Sequence, residues 1–225
     1  MNALNVKAFV SLPVLISIMA ALIFIPAGTL NYWQAWIFLG VYFASALAIT
    51  LYLMKRNPEL LRRRMTGGPT AEKQPTQKII MSLASLGFVG LLVVPALDHR
   101  FAWSHVSRTM ELLGNALVAL GFLGVWRVFQ ENSYTSSTIE LAADQRVIST
   151  GPYALVRHPM YAAALGMLIG MPIALGSYFG LIVFVTTSGV VIWRLLDEEK
   201  FLAADLPGYA EYQKKVPHRL IPGIW

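Results

Sequence analysis

The residues most able to do chemistry in this sequence form two polar groups that stand beside long apolar stretches. The first spans 151–161 and contains Arg157 and His158 directly before Pro159. Its Gly-Pro pair predicts a turn, and Pro159 suits the first turn of a helix, where its missing N–H costs nothing. The unpaired N–H groups and positive dipole end of that helix would favour an acceptor-rich or anionic ligand group. An ordinary turn at the membrane interface would also explain these residues.

The second group runs from Arg194 to Lys200, where Asp197, Glu198 and Glu199 directly follow an apolar stretch of spanning length. Arg194 and Glu198 are four residues apart, so they share one face of a helix. Ionisable groups at membrane depth are costly and usually mark a site. We therefore favour a functional role for Glu198 and Glu199. Asp197 and Lys200 are better explained as solvated charges beyond the membrane.

Apolar helices that are long enough to cross a membrane must position both groups. Hydrophobic residues make up 56% of the 225 residues and charged residues 13%, against about 25% charged in soluble domains. A spanning helix needs roughly 20 apolar residues, because each adds about 1.5 Å across a core of about 30 Å. The sequence predicts an all-α, polytopic transmembrane helical bundle of about six spans, in a single membrane domain. These spans are about 8–26, 33–54, 79–97, 110–130, 159–176 and 178–196.

The last two predicted spans nearly touch, with Gly176 and Ser177 between them, which indicates a tight helical hairpin. The polar C-terminal segment that follows predicts one or two interfacial amphipathic helices over Asp197–Val216, interrupted at Pro207-Gly208. Inside the fourth span, the glycines at the ends of 121–124 are more typical of close helix packing than of a ligand loop.

The distribution of basic residues predicts how the bundle is oriented. With a cytoplasmic N-terminus and six spans, 16 of the 18 Lys and Arg residues fall on the cytoplasmic side, and the other side keeps Arg100 and Arg108. This bias follows the positive-inside rule and places both termini and the active site in the cytoplasm. The rule, with attraction to anionic lipid head groups, also explains the basic loop 55–78 with its arginines at 62–64. A bacterial inner membrane is favoured because no targeting feature stands out, and an ER membrane is the alternative.

Several classes of site have no support in the composition. The chain has no cysteine, so we expect no disulfide, thiolate metal site or cysteine nucleophile. The histidines show no metal-ligand spacing and HExxH, P-loop, GxSxG and Rossmann patterns are missing, so no bound metal is expected. The formal net charge of +6 is explained by orientation in the membrane, and no nucleic-acid partner is expected. The sequence leaves the oligomeric state open.

The two polar groups and the C-terminal end together resemble a known family. The matching elements are Gly151-x-Tyr153, Arg157-His158-Pro159-x-Tyr161, Arg194-x-x-x-Glu198-Glu199 and Gly208-Tyr209-x-Glu211-Tyr212, followed by Val216-Pro217 and Ile221-Pro222. In order, spacing and membrane context, they resemble the isoprenylcysteine carboxyl methyltransferase family and, more distantly, the phospholipid N-methyltransferases. The resemblance covers about 112–225, which we take as the cofactor-binding half, and the N-terminal half shows no match.

This resemblance implies transfer of a methyl group from S-adenosylmethionine, with the cofactor held at the cytoplasmic face. By position, the cofactor-binding residues would be Gln145, Arg146, Val147, Ile148, Tyr153, His158, Pro159, Met160, Tyr161 and Glu198. The catalytic residues would be Arg194, Glu198 and Glu199, with Arg194 facing the methyl acceptor. Gln145 stands where eukaryotic members often have a histidine, which leaves a side-chain role at that position unsupported.

The chemistry of methyl transfer fits these residue types. Transfer from a sulfonium needs no metal, because the protein only has to align the acceptor, the methyl carbon and the sulfur and to exclude water. A carboxylate acceptor is ionised at pH 7 and needs no general base. Arg194 could hold it through a bidentate pair, and Glu198 could accept from cofactor hydroxyl or amino groups. An amine acceptor would first have to lose a proton, which His158 or Glu199 could take.

The leading prediction is therefore an integral membrane methyltransferase that acts on a lipophilic acceptor from the bilayer. A carboxylate acceptor, as in prenylcysteine methylation, is favoured, and N-methylation of a phospholipid or S-methylation of a small molecule is the alternative within this class. An NADPH-dependent membrane reductase of similar architecture, by analogy of fold alone, and a non-catalytic scaffold are alternatives outside it. The expected partners are the lipophilic or lipid-modified acceptor and membrane lipid.

Overall fold

The computed structural model describes residues 3–139, 141 and 144–225, and in this part of the chain all regular structure is helical. The helices are α1 (Ala3–Ala27), α2 (Trp33–Arg56), α3 (Pro58–Met65), α4 (Pro75–Phe101), α5 (Arg108–Glu131), α6 (Pro159–Ala174), α7 (Gly180–Asp205) and α8 (Tyr209–Lys215), with a 3-10 turn at Gly151–Ala154. The predicted all-α polytopic bundle is confirmed.

Five helices, α1, α2, α4, α5 and α7, are long and apolar enough to cross a membrane. They have 24 to 27 residues, so at about 1.5 Å per residue each exceeds a hydrocarbon thickness of about 30 Å. The predicted limits of these spans fall within the observed helices, except that α7 begins at Gly180. The remaining predicted span corresponds to α6, which has 16 residues and falls short of this length.

Helix α6 is short because sequence features set both of its ends. It begins at Pro159 and ends at Ala174, just before Gly176, whose φ of +75° is left-handed and terminates a helix. Its second half, over 168–175, is almost entirely buried among α5, α7, α4 and α2. Because protein rather than lipid surrounds this half, the backbone groups at its end find partners that lipid could not provide.

Glycines bring α5 and α6 into close contact. A Cβ atom on Gly114 would lie 2.4 Å from the backbone nitrogen of Ala174, and one on Gly121 would lie 2.6 Å from the Cβ of Met167. A Cβ atom on Gly124 would lie 2.8 Å from another side chain of α6. These distances are shorter than van der Waals contact, so glycine alone allows the two helices to approach this closely. The prediction that Gly121 and Gly124 serve helix packing is confirmed.

Side-chain hydrogen bonds fix the turn between α6 and α7 at one end of the bundle. The Tyr32 hydroxyl donates to the Leu175 carbonyl at 2.5 Å, and the Ser177 hydroxyl donates to the Asp98 carboxylate at 2.5 Å. Asp98 is 1% exposed and also accepts from the backbone N–H of Ser104 at 2.7 Å. The predicted hairpin is thereby confirmed, and it is tied both to α4 and to the segment before α2.

The opposite end of the bundle, which we call the basic end, carries α3, the end of α7 and α8. Helix α7 continues past the predicted span limit at 196 to Asp205, so Glu198 and Glu199 stand on a continuous helix. The chain then breaks at Pro207-Gly208, where Gly208 has a φ of +83°, and α8 follows. The prediction of one or two helices interrupted at Pro207-Gly208 is confirmed as two, with the first as a continuation of α7.

Gly114→Ala will destabilise the protein, because the new methyl group overlaps the backbone of α6. We expect a loss of about 1–3 kcal/mol, as in other overpacked interiors, measured as a lower midpoint of thermal unfolding in detergent. Gly166→Ala is the matched control, because a Cβ atom there meets nothing within 4 Å and alanine favours a helix. Equal midpoints for the two variants would contradict this packing.

Candidate functional site

A cavity of about 380 Å³ lies at the basic end. Its walls come from α3 and the segment after it, α4, residues within 132–139 and 145–148, the 3-10 turn, the beginning of α6, the end of α7 and α8. This volume is within the range of small-molecule sites, about 300–1,000 Å³. The predicted site residues that line the cavity are Gln145, Arg146, Val147, Ile148, Tyr153, His158, Pro159, Met160, Tyr161, Arg194 and Glu198. Glu199, the remaining predicted site residue, does not line it.

The turn before α6 takes its shape from the C-terminal segment. The backbone N–H groups of Arg157 and His158 donate to the carbonyls of His218 and Arg219, each at 2.9 Å. The Arg157 guanidinium also donates through Nη1 to the Val216 carbonyl at 2.8 Å. The C-terminal segment therefore lies along the turn, and this contact presents His158 to the cavity where α6 begins.

Glu199 fixes this arrangement from α7. Its Oε1 accepts from Arg157 Nε at 2.6 Å, and its Oε2 accepts from Arg219 Nε at 2.7 Å. The side chains of Glu199 and Arg157 are only 6% and 5% exposed, and a buried pair of this kind leaves a costly unpaired charge when one partner is lost. The catalytic role expected for Glu199 has no geometric support. Its carboxylate instead positions the turn, a role that sequence spacing could not distinguish from catalysis.

His158 lines the cavity, and its Nε2 atom lies beside the Glu199 carboxylate. The residue is 5% exposed and lines the cavity wall. Its Nε2 lies 3.5 Å from Glu199 Oε1, and it forms no hydrogen bond with any residue that the structure describes. A buried nitrogen without a hydrogen bond is uncommon and costly. At this distance the nitrogen can pair with the Glu199 carboxylate when the imidazole is protonated.

Tyr161 joins α6 to α7 at the cavity wall, because its hydroxyl donates to Glu198 Oε2 at 2.5 Å. Tyr153 lines another part of the wall. Its hydroxyl accepts from Asn132 Nδ2 at 3.0 Å, and its carbonyl accepts from the Tyr212 hydroxyl at 2.7 Å. Burial raises the pKa of the Tyr153 phenol above its ordinary value, so the phenol remains a neutral hydrogen-bonding group near pH 7.

Arg194 is held by residues that are distant from it in sequence. Its Nη2 donates to Glu72 Oε1 at 2.8 Å and to the Ser137 carbonyl at 2.9 Å, and its Nη1 donates to Gln77 Oε1 at 2.9 Å. A bidentate carboxylate needs two parallel N–H groups, and both such edges of a guanidinium include an Nη2 proton. Both Nη2 protons are already donated here. Arg194 therefore does not present a free bidentate edge to an acceptor, contrary to the expectation from sequence.

The N-terminal half contributes to the site in a way that the sequence analysis missed. Glu72, which is 4% exposed, forms the ion pair with Arg194, and Arg64 lines the cavity. Arg64 Nη1 donates to the Ser136 carbonyl at 2.9 Å, and the Arg64 carbonyl accepts from the Ser137 hydroxyl at 3.0 Å. The only local signal was Glu72 itself, the single acidic residue within 60–78. Nothing local indicated its partner.

Part of the chain matches a known family. Residues 109–206 match the family model described as phospholipid methyltransferase, and this segment includes both the turn before α6 and the end of α7. The resemblance to membrane methyltransferases is confirmed. Over 102 residues, the chain is 28% identical to the cobalt-zinc-cadmium resistance protein CzcN of Cupriavidus metallidurans. The aligned segment covers 45% of this chain and 47% of that relative, so it spans about half the length of each.

Glu199→Ala will loosen the C-terminal segment, because it leaves the buried Arg157 guanidinium without its carboxylate. Loss of one partner of a buried ion pair costs about 3–5 kcal/mol. We expect a lower unfolding midpoint and faster hydrogen exchange at the backbone amides of Arg157 and His158, measured by NMR. Glu211→Ala is the control, because Glu211 is an exposed glutamate on α8. If both amides keep their protection in Glu199→Ala, the positioning role is wrong.

Proposed function

We propose that this protein is an integral membrane methyltransferase that transfers a methyl group from S-adenosylmethionine to a lipophilic acceptor. The observation that carries the proposal is that two sequence-distant polar groups meet around one cavity. The turn with His158 and the end of α7 with Arg194 and Glu198 both line it. Both also lie inside the segment that matches the phospholipid methyltransferase family.

The residues around the cavity fit such a cofactor. The first backbone N–H groups of α6 have no partner within the helix and suit a carboxylate. His158 and Glu198 line the cavity, and Glu198 can accept from a hydroxyl or amino group. The backbone of 145–148 and the Tyr153 side chain would complete the contacts. When bound, S-adenosylmethionine would supply a methyl group activated on a positively charged sulfur.

The residues of the chain then have to orient the acceptor and exclude water. The acceptor atom, the methyl carbon and the sulfur must lie in line, so that the new bond to carbon forms as the C–S bond breaks. The Tyr161–Glu198 hydrogen bond and the Glu199–Arg157 pair hold α6 and α7 in a fixed relation for this purpose. The cofactor would be left as a neutral thioether. Because a carboxylate acceptor carries no proton at pH 7, its methylation needs no general base.

A carboxylate remains the favoured acceptor, as in prenylcysteine methylation. An amine acceptor would have to give up a proton, and the sequence offered His158 and Glu199 as bases. Glu199 is engaged by two arginines and lies outside the cavity lining, so it is a poor base for a substrate. N-methylation would therefore depend on His158 alone.

In our proposal the lipophilic acceptor enters the cavity from the membrane. Met81 on α4 and Ala164 on α6 line its wall, about 9 Å and 7.5 Å along the helix axes from Pro75 and Pro159. These positions bring the wall to the level of apolar helix segments. In our proposal the basic end faces the cytoplasm according to the positive-inside rule, in a bacterial inner membrane or, as the alternative, an ER membrane.

Purified protein should bind S-adenosylmethionine saturably, and Glu198→Gln should weaken that binding about tenfold or more. The reason is that a hydrogen bond to a charged group is typically worth about 1.5–3 kcal/mol. Isothermal titration calorimetry measures both affinities. Asp205→Asn is the matched control, because Asp205 is an exposed carboxylate on the same helix and should leave the affinity unchanged.

The same titration with NADPH separates the alternatives. Saturable binding of NADPH without binding of S-adenosylmethionine would replace the proposal with a reductase. Binding of neither cofactor, with full cellular function retained by Glu198→Ala and His158→Ala, would indicate a scaffold. Methylated lipophilic products, detected by mass spectrometry after incubation of the protein with crude membranes, are the result that we expect.

A further inference from the structure

Arg64 lines the cavity, and one hydrogen-bonding edge of its guanidinium has no acceptor in the described part of the chain. It lies in the last turn of α3, and its guanidinium carbon stands 5.3 Å from the centre of the Phe129 ring. Nη1 donates to the Ser136 carbonyl at 2.9 Å. In the described part of the chain, neither Nε nor Nη2 has a hydrogen-bond acceptor. These two N–H groups form one of the two parallel edges with which arginine binds a carboxylate.

The other arginines of the cavity are less suited to an anionic group. Four arginines line it. Arg157 and Arg194 are each paired with a buried glutamate, and Arg146 is exposed to solvent. Arg64 is partly buried and forms no ion pair with any residue that the structure describes. A partly buried cation that forms no ion pair can take its direct counter-charge from a ligand.

The surroundings of Arg64 also favour a negative partner. Burial lowers the pKa of its guanidinium and the positive charge of Arg194 lowers it further, while Tyr161 and the Glu198 carboxylate act in the opposite direction. The group stays protonated at neutral pH because an arginine has a very high intrinsic pKa. Two guanidinium groups and Glu198 therefore share the same cavity, and an anionic ligand group would relieve the repulsion between the two cations.

We infer that Arg64 binds and orients the anionic group of the methyl acceptor through Nε and Nη2. The inference rests on the proposed function and assigns to Arg64 the bidentate contact expected of Arg194. A carboxylate oxygen that accepts one N–H of the fork keeps a second lone pair for attack on the methyl carbon. The Phe129 ring and the bond to Ser136 hold the guanidinium in place. Arg64 is thus an acceptor-binding residue from outside the segment that matches the family.

The test compares Arg64→Met and Arg64→Lys with wild-type protein in lipid nanodiscs. The probe acceptor is N-acetyl-S-farnesyl-L-cysteine, and its neutral carboxamide serves as a competitive ligand. Arg64→Met should raise KM for the acid about tenfold or more, as expected for lost hydrogen bonds to a charged group. It should also abolish the preference for the acid over the amide. Arg64→Lys, which keeps the charge but loses the fork, should fall between Arg64→Met and wild type.

Two further measurements show whether a loss is specific. The affinity for S-adenosylhomocysteine should change less than twofold in both variants, because Arg64 belongs to the acceptor side. Arg62→Met is the control, because Arg62 lies on the same helix, is exposed and pairs with Glu59, and it should keep wild-type KM. An unchanged KM in Arg64→Met, or an equal loss of S-adenosylhomocysteine affinity, would overturn the inference.

Failure of the inference is distinguishable from failure of the proposed function. Wild-type protein that binds S-adenosylhomocysteine but neither binds nor methylates the acid overturns the role of Arg64 and leaves methyl transfer in place. Wild-type protein that binds neither S-adenosylmethionine nor S-adenosylhomocysteine overturns the proposed function, and the role of Arg64 is rejected with it.

Discussion

The ion pair between Glu199 and Arg157 is the interaction on which the rest of the site depends. It joins three segments that are far apart in sequence, because Arg219 of the C-terminal segment binds the same carboxylate. Both partners of the pair are almost fully buried, so separating them would leave a charge without water or counter-ion. This constraint sets where the turn before α6 meets α7. Adjacent residues on a helix point about 100° apart, so Glu198 faces the cavity while Glu199 faces the C-terminal segment.

The N-terminal half completes the cavity from the other side. Glu72 and Gln77 bind the guanidinium of Arg194, and Arg64 is joined to the 136–137 segment by hydrogen bonds in both directions. The segment that matches the phospholipid methyltransferase family includes neither Arg64 nor Glu72. In our proposal this division has a chemical meaning. Residues within the matched segment hold the cofactor, and residues outside it select the methyl acceptor that binds.

Much of the fold could be predicted because lipid imposes a simple rule on sequence. A long apolar stretch flanked by charges must become a helix, and Gly176 and Gly208 mark turns that the structure contains. Helix α6 is shorter than a spanning helix. It tolerates this length because its second half is buried within protein, and composition does not reveal such burial. The pairing of Glu199 with Arg157 and of Glu72 with Arg194 escaped prediction for another reason. Such contacts join residues 42 and 122 positions apart, and no local pattern specifies them.

The position of the bound cofactor can be observed directly. An experimental structure of the full chain with S-adenosylhomocysteine tests it. We expect the ligand in the cavity at the basic end, in contact with His158, Tyr161 and Glu198, with the Glu199–Arg157 pair intact. Ligand bound elsewhere on the protein, or a rearrangement that separates the turn before α6 from the end of α7, would contradict the account.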